Sequence, residues 1–232
     1  MEGRYPAGVF LNLADCMDPA KEQGFIKWNQ DVLLPGLKNK GCIQHFNRYE
    51  NVMSRYATFQ GRPKYLTLSE VYNDNLEGVL KEIHEFEEEL ATTNRDNDSR
   101  VSKVNTMYRM IGSEFRTERT GREVQAILCV LCGCTDLSRE AEFNEWYNER
   151  HSPETIINNI FSFDTGYRYQ VVDPNDPMPH QSSPYLSIYE TSASIEDTLK
   201  GLAGLRKEST ATDQTWVELL TVYYAGVFKP LK

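Results

Sequence analysis

Apolar and polar positions along the chain alternate in two rhythms, and one succession of rhythms occurs twice. Val9–Leu13 is a short apolar run suited to a strand, and turn residues follow it at Asp15–Pro19. From Pro19 the period changes: Phe25 and Trp28 stand three apart, on one face of a helix. Ile43–Glu50 and Tyr65–Tyr72 are rich in β-branched and aromatic residues and predict two more strands. Leu76, Val79, Leu80, Ile83, Phe86 and Leu90 keep helical spacing, so a second, amphipathic helix is expected. A polar loop at Thr92–Ser99 then leads to a last strand over Val104–Phe115. The order is β-α-β-β-α-β.

The second half repeats it. Ile127–Cys132 reads as the first strand, Ser138–Asn159 as the first helix, Gly166–Val172 and Tyr185–Thr191 as the middle strands. Ser194–Glu208 reads as the second helix and Trp216–Phe228 as the last strand, with a proline-rich loop at Asp173–Pro184. Particular residues tie the halves together. Trp28 and Pro35 share a W-x6-P frame with Trp146 and Pro153, 118 positions on, and Phe25 answers Phe143 at the same offset. Arg48-Tyr49 answers Arg168-Tyr169, and Tyr65–Leu68 answers Tyr185–Ile188, 120 positions on, as an insertion between helix and strand would produce. Arg116–Glu123 is the expected boundary, giving repeats over residues 1–118 and 119–232. The βαββαβ order predicts an α+β fold of tandem ferredoxin-like units, each an antiparallel sheet with both helices on one face. The bare face of each sheet needs a cover, which its twin supplies, and the resulting barrel interior is expected to enclose a small ligand.

Composition narrows the function classes. A net charge of −9 with no basic stripe argues against nucleic acid as a partner. The acidic run Glu85–Glu89 reads as a solvated helix face. No apolar stretch reaches the roughly 18–20 residues of a membrane span, and Met1–Gly8 does not read as a signal peptide. Five cysteines outside a secretory context suggest reduced thiols and a cytoplasmic location. Cys129 and Cys132 on one strand point to opposite faces, so no metal site is expected from the Cys129–Cys134 cluster. No Gly-rich phosphate loop and no G-x-S-x-G elbow occurs, which disfavours nucleotide-dependent and α/β-hydrolase chemistry.

The frame Glu140-x-x-Phe143-Asn144-x-Trp146-Tyr147-x-x-x-His151-x-Pro153 resembles the first helix of EthD-like proteins, members of the dimeric α+β barrel superfamily. Arg168-Tyr169 and Tyr185–Glu190 are similar to later elements of that pattern. The resemblance covers nearly the whole chain, as two fused copies of a unit that usually dimerises. It implies a pseudo-dimer within one chain, with a homo-oligomer still open. Its members include decarboxylases, cyclases, isomerases, monooxygenases and haem enzymes, so it implies little about the reaction. The first copy departs from the frame at Leu33, where the second has His151.

His151 is therefore the leading candidate for acid–base catalysis, because imidazole gives or takes a proton near neutral pH. Tyr147, four residues before it, and Glu154, three after, fall on its helical face, the first as a donor and the second as an orienting carboxylate. Trp146 joins the candidate substrate-binding set. On the middle strands Tyr167 and Tyr169 share one side, as do Tyr185, Ser187 and Tyr189 on theirs. If both sides face the interior, they form an aromatic wall for a flat substrate. His45 is placed to enter the same cavity from the first copy, whereas His84 and His180 read as surface residues. Arg168 with Glu190, and Arg48 with Glu70, recur in both copies and suggest ion pairs between neighbouring strands. These residues point to a cofactor-independent lyase or isomerase acting on a small aromatic, polyketide-like or terpenoid intermediate. A monooxygenase, cofactor-free or with haem, and a non-catalytic small-molecule or stress-associated binding protein are the alternatives.

Overall fold

The computed structural model describes residues 1, 3–55, 62–93, 95, 97–112, 115–117, 121–157, 163–173, 183–208 and 218–231. In the first half, β1 (Gly8–Cys16) leads to α1 (Glu22–Trp28) and α2 (Leu34–Asn39), then β2 (His45–Arg55), β3 (Tyr65–Val71), α3 (Leu76–Thr92), β4 (Arg100–Met110) and the short β5 (Phe115–Arg116). The second half runs β6 (Ala126–Cys134), α4 (Glu140–Trp146), α5 (Ser152–Ile157), β7 (Thr165–Val171), β8 (Tyr185–Thr191), α6 (Ile195–Glu208) and β9 (Leu220–Pro230). The expected strand over Trp216–Phe228 thus starts at Leu220, and its first residues, with His180 and most of the proline-rich loop, lie outside the described residues.

All pairings are antiparallel. Each half has the sheet order of the split βαβ motif, β4-β1-β3-β2 and β9-β6-β8-β7. Edge strand β2 pairs with β9 and edge strand β4 with β7, so eight strands close into a barrel within one chain. Closure removes the open edges that either sheet alone would expose. β5 runs on along β7, pairing Phe115 with Gly166.

Strand alternation sorts the side chains into two layers. Val9, Leu11 and Leu13 from β1 meet Ile127, Cys129 and Leu131 from β6 inside the barrel, with Leu66, Leu68, Tyr108, Tyr169, Leu186, Ile188, Tyr224 and Phe228. An eight-stranded barrel is just wide enough for side chains to fill, and these residues fill it. The interior is thus a packed core rather than the ligand chamber expected from the sequence. The outer faces carry the helices. Leu76, Val79, Leu80, Ile83, Phe86 and Leu90 of α3 are all buried against the first sheet, as their spacing predicts.

The duplication extends to local detail. Asp18 and Asp136 each cap the turn that opens the helical segment, accepting from Ala20 and Ser138 N–H at 2.9 and 3.0 Å. Register shifts fall between Leu13 and Ala14 in one copy and between Leu131 and Cys132 in the other. Both helical segments also widen into a π turn, over Asn29–Leu33 and Tyr147–His151, just before the proline of the W-x6-P frame. Proline lacks an N–H and its ring crowds the carbonyl four residues back; the wider turn relieves both. The i→i+5 bonds are those from Leu34 N–H to Asn29 and from Ser152 N–H to Tyr147.

Candidate functional site

The π turn fixes the surroundings of His151. Widening the helix brings residues five apart over one another, and the imidazole stacks on Trp146 with centroids 4.9 Å apart and planes 24° apart. It meets the Tyr147 ring edge-on at 4.7 Å. His151 is half-buried, whereas Tyr147 is buried beneath it on the outer face of β7 and β8. There Ser187 Oγ donates to the Tyr147 hydroxyl at 2.9 Å, and the Tyr147 and Tyr189 hydroxyls stand 3.3 Å apart. Burial pushes Tyr147 well above the usual phenol range, so it stays protonated and can donate. Tyr189 is raised by burial in the same way.

Arg168 completes the layer. Its guanidinium lies 4.3 Å from the Tyr147 ring centroid, 4.7 Å from that of Tyr185 and 5.2 Å from that of Phe143. It donates to Asn148 Oδ1 at 2.8 Å and to Asn144 Oδ1 at 2.6 Å. Tyr185 donates to Glu140 at 2.8 Å and accepts from Asn144 at 2.9 Å; burial and the carboxylate push its phenol up to about 12.

Several sequence expectations need correcting. Tyr167 and Tyr169 do not share a wall with Tyr185 and Tyr189. The register pairs Tyr167 with Ile188 and Tyr169 with Leu186, so odd positions of β7 share a face with even positions of β8. Tyr167 and Tyr169 point into the barrel, and Tyr185 and Tyr189 towards the helices. His45 is exposed and edge-on to Tyr72, outside the barrel interior. Glu154 is exposed and makes no hydrogen bond or ion pair among the described residues, so it does not orient His151.

The strand ion pairs do not form either, because each arginine and glutamate sit on opposite faces. Glu70 instead takes a bidentate pair from Arg4, and Glu190 the amino group of Met1, both at one barrel mouth. Sequence reasoning missed Asn144 and Asn148, although their replacement by Ile26 and Gln30 in the first copy is a readable difference. Among the described residues no group of three or more His, Cys, Asp or Glu could hold a metal ion. No helix among them is long and apolar enough to cross a membrane.

No family model matches the chain, and no curated protein matches it. Solved structures do. A dye-decolorizing peroxidase from Bacteroides thetaiotaomicron superposes with a TM-score of 0.60 at 9% identity, over 99% of this chain and 94% of the other. A dye-decolorizing protein from V. cholerae gives 0.58 at 8% identity, over 97% and 94%. A haem-binding protein from Thermus thermophilus gives 0.53 at 8%, over 99% and 96%. The fold is that of the dimeric α+β barrels. At such identities only the fold of these barrels is shared, and the chemistry must be argued from this chain's residues.

A porphyrin beside His151 would need a broad slot between helix and sheet. The described side chains there pack ring against ring, with Phe143, Tyr147, Tyr185 and Arg168 occupying the layer. They do not fit a haem.

Proposed function

We propose that the helix–sheet layer of the second copy carries out general acid–base chemistry, without a cofactor, on a small aromatic, polyketide-like or terpenoid intermediate. The observation that carries this reading is the buried hydroxyl chain Ser187–Tyr147–Tyr189 directly beneath His151, in one copy only. The first copy has Thr67, Asn29 and Ser69 at those places and Leu33 for the histidine. In this reading residues 119–232 are the reactive repeat, of EthD-like type, and residues 1–118 are scaffold.

His151, the half-buried member, takes the proton from a carbon next to a substrate carbonyl and returns it at a second position. Tyr147, held neutral by burial, donates through its hydroxyl chain as negative charge develops on oxygen. Arg168 over the Tyr147 ring adds fixed positive charge in a dry layer, where it acts most strongly. Proton transfer of this kind serves decarboxylation, cyclisation, dehydration and isomerisation alike, which places the activity among lyases and isomerases.

Benzoylacetate tests the reading, because it reports exchange next to a carbonyl and decarboxylation together. In D2O the wild-type protein should accelerate one or both, and His151→Ala should lose about 100-fold or more of that acceleration. Equal rates in the two proteins would sink the acid–base role. Binding of the probe without any turnover would instead favour a small-molecule binding protein.

A further inference from the structure

The duplicated arginine has two different fates. In the second copy Arg168 is clamped by Asn144 and Asn148 and faced by three aromatic rings. In the first copy Arg48 holds the equivalent strand position, but Ile26, Gln30 and Asn29 replace Asn144, Asn148 and Tyr147. The clamp is gone while the burial remains: Arg48 is 8% exposed. Its one hydrogen bond among the described residues runs to the Ile26 carbonyl at 3.4 Å, and its buried Nε, like that of Arg168, has no partner among them. A guanidinium carries five N–H donors, and one of this one's is bonded among the described residues.

Arg48 lines a cavity of about 260 Å³ where β2 runs past the end of β9. Phe46, Tyr49, Val124, Pro230 and Leu231 give it apolar walls, and exposed Gln30 and Glu123 lie at its rim. The volume is just below the range of about 300–1,000 Å³ typical of drug-sized ligands, so the occupant is small. Burial lowers the Arg48 pKa, and among the described residues the opposing charge effect comes from the Tyr65 phenol. A buried cation with no anion beside it among the described residues is expensive unless something else supplies one.

We propose that this cavity is a binding site for a small monocarboxylate with an apolar or aromatic body, whose carboxylate pairs with Arg48. Planar guanidinium and planar carboxylate match geometrically, and such charge-assisted bonds are the strong ones. Acidic Glu123 at the rim works against polyanions and favours a single negative charge on an apolar frame. The site is separate from the helix–sheet layer around His151 and stands whether or not that layer is catalytic.

The test is calorimetric titration of the full-length protein with sodium benzoate, and with benzamide as a neutral analogue of the same shape. Saturable benzoate binding should appear, with benzamide at least about tenfold weaker, as the loss of a charge-assisted bond predicts. Arg48→Met should weaken benzoate to the benzamide level, and Arg48→Lys should recover part of it. His151→Ala should leave benzoate affinity unchanged, which separates the two sites. Should Arg48→Met fail to fold, the benzoate–benzamide ratio in the wild type still decides. Equal affinity for the two probes, no benzoate binding, or full binding in a folded Arg48→Met protein would overturn the proposal.

Discussion

Replacing Tyr147 by Phe removes one oxygen from the buried hydroxyl chain and leaves the ring contacts with Phe143, Trp146 and His151 in place. Tyr189 keeps the Ser152 hydroxyl as a neighbour that acts on its phenol. Ser187 is 1% exposed, and the Tyr147 hydroxyl is its one side-chain partner among the described residues. The cost is therefore set by a single orphaned buried hydroxyl, about 1–3 kcal/mol. For a chain of this size each kcal/mol corresponds to about 2–4 °C in Tm, so a fall of about 2–12 °C is expected.

Ser187→Ala removes the orphan as well as the bond. The double variant Tyr147→Phe/Ser187→Ala should be more stable than the sum of the single changes predicts, by about 1 kcal/mol. Urea denaturation of the four proteins, followed by fluorescence with unchanged m-values, measures this coupling directly. Strict additivity, or a neutral Tyr147→Phe, would show that the hydroxyls do not act as a unit and would remove the main support for a proton-holding layer.

Two further outcomes follow from the barrel itself. Burial alone would raise the Glu70 carboxyl, but bidentate Arg4 and the Tyr72 hydroxyl outweigh it and hold the group below the usual carboxylate range. A depressed carboxylate contributes stability that is complete above its unfolded pKa of about 4.3 and is lost as pH falls through the folded value. Acid titration of stability should therefore be shallower in Glu70→Gln below about pH 4.3, and superimposable acid limbs would refute the pairing. At Gly8 an added Cβ would meet the Tyr108 carbonyl oxygen at 2.5 Å, backbone that cannot swing away. Gly8→Ala should cost about 1–3 kcal/mol in the same denaturation assay, and a neutral result would mean that β1 and β4 are not so closely apposed.

Much of the fold was legible in the sequence because period and repetition are local signals. The α3 positions were read from spacing alone, and the twinned W-x6-P frames identified the duplicated helical segment. Neither the π turn nor the face assignment was legible. A helical wheel places Tyr147 beside His151, but only the widened turn stacks Trp146 on it, and widening follows from how Pro153 is accommodated. The side each tyrosine faces depends on the β7–β8 register, a pairing between residues about 20 apart in sequence that alternation within one strand cannot supply. Glu70 and Glu190 were misassigned for the same reason: their partners, Arg4 and Met1, reach them across the barrel mouth from the start of the chain.

The two copies can diverge chemically because the barrel separates what holds it together from what lies outside it. Both halves must supply large interior side chains, so Leu11 and Cys129, or Leu66 and Leu186, are constrained by a shared core. The helix–sheet layers share no such core; each is walled by its own sheet. The first copy's layer keeps a void of about 10 Å³ lined by Asn29, Leu33, Thr67 and Ser69. Larger residues stand at the matching places in the second, where Tyr147 and Tyr189 bring two phenols under His151. The arginine changed in the opposite sense, clamped by two asparagines in the second copy and left with one long hydrogen bond among the described residues in the first. One duplicated scaffold thus carries a hydroxyl layer with an imidazole in one half and a sparsely bonded guanidinium beside a cavity in the other. The twin positions are themselves polar, Thr67 for Ser187 and Arg168 for Arg48, so what differs between the copies is the set of partners around them, and that can change without disturbing the barrel between them.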